Sequence, residues 1–183
     1  VDTERATSAA AELLTAFGLD VSAESTKRTP ERMVNAYREL LTPREFDLTT
    51  FPNDEDYDEL LLQRDIAFVS LCEHHALPFT GTATVGYLPG DRIVGLSKLA
   101  RVVELFSRRP QVQERLTKQI AMWLDEHLAP KGVGVVMRAE HTCMTLRGVQ
   151  APGTTTVTSS LRGEMLRDER TRAEFFALGG AAR

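Results

Sequence analysis

The sequence predicts an α+β protein, with an antiparallel four-stranded sheet carrying helices on one face. Three observations predict it. Strand-like and helix-like segments come in blocks, which separates this class from a doubly wound parallel sheet. Two hairpin-like strand pairs flank a central pair of amphipathic helices. The signal Pro89-Gly90-Asp91 marks a tight turn inside the first strand block.

The elements follow in order. From Asp2 to Phe17, Ala9, Leu13, Leu14 and Phe17 have helical spacing, and Gly18 ends the run. A second helix starts at Thr29 as N-cap, with Pro30 at the first helical position, where its missing N–H costs nothing. Met33, Val34, Tyr37, Leu40 and Leu41 form its apolar face. Residues 42–57 are polar and broken by Pro43 and Pro52, which reads as an acidic loop. Strands are expected at Ile66–Leu71, Thr80–Tyr87 and, briefly, Arg92–Gly95. Ser97 can cap a helix whose Leu99, Val102, Val103 and Phe106 share a face. Pro110 breaks it, and a second helix runs from about Val112 to His127. Two further strands, Gly132–Leu146 and Thr154–Leu161, precede a closing helix over Thr171–Leu178. The expected organisation is an N-terminal helical segment with its acidic loop, residues 1–64, and a catalytic domain, residues 65–183.

Composition narrows the function. The chain has 183 residues, 42% of them hydrophobic, enough for a real core. Its net charge of −4 argues against general nucleic-acid or membrane-surface binding. No window approaches the ~20 apolar residues of a membrane span. The first ten residues lack the apolar core of a signal peptide, so the protein reads as soluble and cytoplasmic.

Two cysteines do not make a secreted disulfide framework. They are compatible with one disulfide, with buried apolar packing, or with metal binding. Three of the four histidines, His74, His75 and His141, lie within three positions of a cysteine, which favours metal. Cys72 and His75 have a spacing that lets them converge from a turn. His141 and Cys143 lie two apart in a strand-like segment and are expected on one face. Cys72, His75 and Cys143 make three ligands, which leaves a fourth position open, as in catalytic zinc sites. His74 and His141 then remain as proton carriers, or one of them is the fourth ligand. The His-x-Glu and Pro-Cys-x-x-Cys signature of zinc deaminases is absent.

A second cluster is cationic and polar: Ser97, Lys98, Arg101, Arg108, Arg109, Gln113, Glu114 and Arg115, with Arg147 after the second metal cluster. Such residues can clamp phosphates, and a carboxylate such as Glu114 can accept two hydrogen bonds from a guanine edge. A solvated helix face would look the same. Composition alone leaves this cluster undecided, and there is no P-loop.

Four blocks carry a resemblance: Cys72-Glu-His-His75, Gly95-Leu-Ser-Lys-Leu-Ala-Arg101, Arg108-Arg-Pro-Gln-Val-Gln-Glu-Arg-Leu-Thr117 and His141-Thr-Cys-Met-Thr-Leu-Arg-Gly148. In order and spacing the chain resembles GTP cyclohydrolase I, specifically from about Asp65 to Leu178. The resemblance implies zinc-dependent hydrolysis of GTP at C8, with rearrangement to 7,8-dihydroneopterin triphosphate and formate, the first step toward pterins and tetrahydrofolate. It implies Cys72, His75 and Cys143 as Zn2+ ligands and His74 and His141 as acid/base groups, with Ser97 and Gln113 assisting catalysis. It places Glu114 and Gln113 at the guanine, and Ser97, Lys98, Arg101 and Arg147 at the ribose and triphosphate. It also implies the tunnelling fold, in which sheets of several subunits join into a barrel, and a toroidal homodecamer of two pentameric rings.

Overall fold

The structure is a computed structural model that describes residues 1–180. Its contacts group the chain into two units, Val1–Thr42 and Pro43–Arg183, so residues 43–64 belong with the second unit.

The first unit is a helical pair, α1 (Thr3–Ala16) and α2 (Thr29–Leu40). Asp2 caps α1 by accepting from the Arg5 N–H at 3.0 Å. Gly18, at φ 88°, takes the left-handed conformation that ends the helix. Thr29 is expected as the cap of α2 but is already helical. Its N–H donates to the Thr26 carbonyl at 2.8 Å, so the turn before the helix satisfies that group without a side-chain cap. Ala10, Pro30 and Val34 are the buried side chains of this pair.

The second unit comprises β1 (Thr50–Pro52), β2 (Leu61–Cys72), β3 (Pro78–Leu88), β4 (Arg92–Val94), α3 (Leu96–Ser107), β5 (Pro110–Gln111) and α4 (Gln113–Leu128). There follow β6 (Gly132–His141), α5 (Thr142–Thr145), β7 (Thr156–Gly163), α6 (Glu164–Arg167) and α7 (Glu169–Leu178). The four long strands β2, β3, β6 and β7 form the expected antiparallel sheet, in the order β5-β2-β3-β6-β7. The short β5 adds a parallel edge through Leu71↔Pro110 and Cys72↔Gln111. The expected short strand β4 pairs in a separate ribbon with β1, which lies inside the stretch expected as loop.

Strand alternation sets the faces. Phe79, Ala83, Val85 and Tyr87 of β3 and Val133, Val135, Met137 and Ala139 of β6 point to one side. They pack on Leu99, Val102 and Val103 of α3 and Leu116, Ile120 and Leu124 of α4. Full burial of each Val, Leu, Ile, Phe or Met among them stabilises by about 1.5–3 kcal/mol, so this face is the main core. Tyr87 is buried there, and burial pushes its phenol pKa up; its oxygen accepts from the Val94 N–H at 3.0 Å.

The opposite face is not bare, which amends the one-sided expectation. Leu60, Leu88, Val136, Met165 and Phe175 form a second cluster under α6 and α7. Phe175 lies over two glycines: a Cβ on Gly134 would meet its ring at 2.8 Å, and one on Gly86 at 3.1 Å. Both glycines are therefore the seat of α7.

This topology gathers chemistry at one end of the sheet. Cys72 ends β2, Pro78 begins β3, His141 ends β6, and Gln111 lies beside Cys72 just before α4. No helix among the described residues is long and apolar enough to cross a membrane.

Candidate metal centre and active site

The β2–β3 hairpin carries two of the three expected donors. Residues 73–77 form its tip, closed by the Cys72 N–H donating to Leu77 O at 2.8 Å. The Cys72 carbonyl accepts from Ala76 N–H at 2.9 Å, and Ala76 sits at φ 52°. That left-handed residue, unusual without glycine, turns the chain back so that His75 lies against Cys72.

Cys143 arrives from elsewhere. The sequence suggests a strand through Leu146, with His141 and Cys143 on one face. Instead β6 stops at His141, and Thr142–Thr145 makes a single helical turn. The Thr142 hydroxyl donates to the Pro78 carbonyl at 2.6 Å and pins that turn to the start of β3. Cys143 thereby reaches Cys72, while His141 reaches Phe79 and Gln113.

The Cys72, His75 and Cys143 donor atoms lie within 4.8 Å of one another. Cys72 Sγ is 3.9 Å from Cys143 Sγ and 3.7 Å from His75 Nδ1. A tetrahedral ion with ordinary zinc–ligand bond lengths needs about 3.8 Å between sulfurs and about 3.6 Å from sulfur to nitrogen. The residues fit such an ion. Both cysteines are free thiols, and burial followed by the neighbouring Cys72 holds the Cys143 pKa above its ordinary value. His75 is exposed, so the centre opens to solvent on its side.

The two remaining histidines have different settings. His74 is exposed on the hairpin tip, with Nδ1 4.0 Å from Cys72 Sγ. His141 stacks on Phe79, with ring centroids 4.5 Å apart and planes 7° apart. Its Nε2 lies 2.8 Å from Gln113 Oε1. Gln113 is 1% exposed, and its Nε2 donates toward Met137 O, Thr156 O and Thr158 Oγ1 at 3.1–3.2 Å. The glutamine nitrogen is thus committed to acceptors, so its oxygen accepts and His141 Nε2 carries the hydrogen. Neutral His141 keeps Nδ1 free to accept a proton. Burial lowers the His141 pKa, partly opposed by the charge of Glu114.

Gln113 is expected at the substrate, but its carboxamide is spent within the chain and reaches the site through His141. Gln113→Leu would strand the His141 Nε2–H and take a donor from the Met137 and Thr156 carbonyls, while the Thr158 hydroxyl keeps its partner Thr117. Unsatisfied buried groups cost about 1–3 kcal/mol each. We expect a loss of at least about 2 kcal/mol in chemical unfolding.

The expected binding residues fall in two places. Glu114 is exposed at the start of α4, where His141 feels its charge. Arg147 is exposed just beyond α5, where its charge reaches Cys143. Ser97, Lys98 and Arg101 lie on α3. Gly95 takes the cap position without a side-chain bond, so Ser97 stands exposed in the first turn rather than capping it. Ser97 and Arg101 line a cavity of about 550 Å³ with Arg44, Glu104, Arg108 and the β2 segment Ile66–Val69. None of Cys72, His75 and Cys143 lines it.

Two ion-pair groups are not anticipated by the sequence reading. Glu104 gathers Arg44 at 2.7 Å and Arg101 at 3.3 Å, and the Arg44 guanidinium holds its carboxyl below the usual range. Arg44 comes from the polar loop, so no local pattern pairs it with α3. Arg115 and Glu73 form an ion pair beside the hairpin tip. Both lie within the quoted blocks, but their meeting depends on β5 lying against β2.

The family model for GTP cyclohydrolase I matches residues 6–179. GTP cyclohydrolase 1 of Aquifex aeolicus is 49% identical over 178 residues, covering 97% of each chain. The Streptomyces avermitilis protein of that name is 50% identical, covering 97% of this chain and 90% of its own. That of Synechococcus sp. (strain JA-3-3Ab) is 53% identical over 91% of this chain and 74% of its own. A match of this extent and identity, on a sheet end that gathers two thiols and three imidazoles, places the chain in the GTP cyclohydrolase I family.

Proposed function

We propose that the protein is a zinc-dependent GTP cyclohydrolase I, converting GTP and water to 7,8-dihydroneopterin triphosphate and formate. The observation that carries this reading is the Cys72–His75–Cys143 donor set beside two spare imidazoles, in a chain of this family. Cys72, His75 and Cys143 hold Zn2+; two thiolates and one imidazole suit that ion. A zinc ion held there supplies Lewis acidity and activates water for attack at neutral pH.

The chain's own residues do the rest. His141 accepts and returns protons at Nδ1, because Gln113 holds its Nε2–H. His74, exposed on the hairpin tip, serves the leaving nitrogen. Glu114 takes the N1–H and amino group of guanine. Ser97, Lys98, Arg101 and Arg147 hold the ribose and triphosphate, and keep successive intermediates in one pocket. Two hydrolyses at C8 release formate, and ring closure onto the opened sugar returns one water, so one water is consumed overall.

A homo-oligomer supports this site. The cavity lined by Ser97 and Arg101 includes none of the three metal donors, and a neighbouring copy could bring the two together. β7 pairs only with β6 among the described residues, and β2 is covered by β5 only at Leu71 and Cys72, so both edges invite another strand. We place the protein in the cytoplasm as a decamer of two pentameric rings, its sheets joined into a barrel. Incubation with GTP and Zn2+ should release formate and yield a product that oxidises to a fluorescent pterin. Absence of both products would overturn the reading.

A further inference from the structure

Resting on that function, we infer that Arg115 is a positioning residue for the metal-binding turn. Through Glu73 it holds the Cys72–His75 turn in register with Gln113 and Glu114.

The geometry has three links. The Arg115 guanidinium donates to one carboxylate oxygen of Glu73, and the other oxygen lies 3.9 Å from His74 Nε2. Arg115 Nε donates to Gln111 Oε1 at 3.2 Å. Gln111 is 1% exposed and anchored through Nε2 to Phe106 O at 2.9 Å and Gln119 Oε1 at 2.8 Å. The Glu73 N–H also donates to the Gln111 carbonyl at 3.1 Å. The turn is thus tied to Gln111 twice, once by main chain and once through Arg115. Gln111 lies two residues before Gln113.

The pair is too exposed to matter much for stability: the Arg115 side chain is 43% accessible and that of Glu73 33%. Ion pairs of this exposure contribute little to stability. A planar guanidinium held by a buried glutamine is, however, a rigid strut. Its effect falls on the direction in which residues 73–75 present their donors. Groups that orient metal ligands typically change metal affinity or activity by roughly 10–100-fold when removed.

That split between affinity and stability is the test. Zn2+ affinity is measured by competition with a chromophoric chelator in the full chain, for wild type, Arg115→Met, Arg115→Lys, Glu73→Gln and the Arg115→Met/Glu73→Gln double variant. Apo-protein melting is recorded alongside. Arg115→Met and Glu73→Gln should each weaken Zn2+ binding roughly 10–100-fold with little change in melting. The double variant should be no weaker than the worse single, and Arg115→Lys should recover part of the loss. Single variants that bind Zn2+ within about twofold of a wild type that also forms pterin would overturn the inference alone. Additive losses in the double variant would overturn it as well. A wild type that binds no Zn2+ would overturn both this inference and the proposed function.

Discussion

Cys143→Ser is expected to abolish tight Zn2+ binding and formate release together. The thiol lies 3.9 Å from Cys72 Sγ and is one of the three donors. A serine hydroxyl in its place has a far higher pKa and a shorter reach, so it neither ionises nor closes the triangle. The loss should exceed the ~10–100-fold expected when only a ligand's hydrogen-bond partner is removed. Folding should survive. Without metal both cysteines are free, and serine nearly matches the thiol volume in a residue 9% exposed. The checks are zinc stoichiometry by atomic absorption, formate release, and melting of the apo proteins. A zinc-free variant with full turnover would sink the metal mechanism.

Gly81→Ala is the largest expected effect on the fold. Gly81 lies in β3 opposite Ala139 of β6. A Cβ there would sit 1.8 Å from the Arg138 carbonyl oxygen and 2.7 Å from the Ala139 Cα. Both are main-chain atoms, so no side-chain rotation relieves the clash and the strands must part. The next pairs along are Thr80↔Glu140 and Phe79↔His141. The disturbance therefore runs into the Phe79–His141 stack and the Thr142–Pro78 bond that aims Cys143. We expect about 3 kcal/mol or more of destabilisation, with a melting drop of roughly 6–12 °C and weaker Zn2+ binding. Gly95→Ala is the control: its Cβ would meet nothing nearer than 3.6 Å, so it should cost only the modest preference of a helix cap for glycine over alanine. A Gly81→Ala protein melting like wild type would refute this account of the sheet.

Much of this architecture is written locally. The alternation along 80–87 and the helical spacing of Leu99, Val102, Val103 and Phe106 report which faces are buried, because burial follows the period of each element. The donor trio is legible because Cys-x-x-His in a turn and a distant Cys flanked by His are rare pairings of chemistry. The path of Cys143 is not legible. Thr142-Cys143-Met144-Thr145 looks like strand, and only the contact with Pro78, 64 residues away, favours a helical turn. Thr50-Phe51-Pro52 is a strand only because β4 lies beside it, and proline is tolerated at such an edge. Gly86 and Gly134 look like weak points until Phe175 occupies the space they leave. The split between α3 and the metal donors is equally hidden, since neighbours in space across the sheet leave no trace in spacing.

The donors of the metal centre also have an order in time. Cys72 and Cys143 are separated by 71 positions, so a growing chain exposes the Cys-x-x-His hairpin well before its third donor exists. A two-donor site holds zinc poorly, and β6 must pair with β3 before Cys143 can reach it. With zinc as the proposed ion, metal loading would follow completion of the sheet. Once bound, the ion staples a loop of that length and removes freedom from the unfolded chain, as a long-range crosslink does. Stripping zinc from the protein should therefore shorten its lifetime against proteolysis as well as silence it.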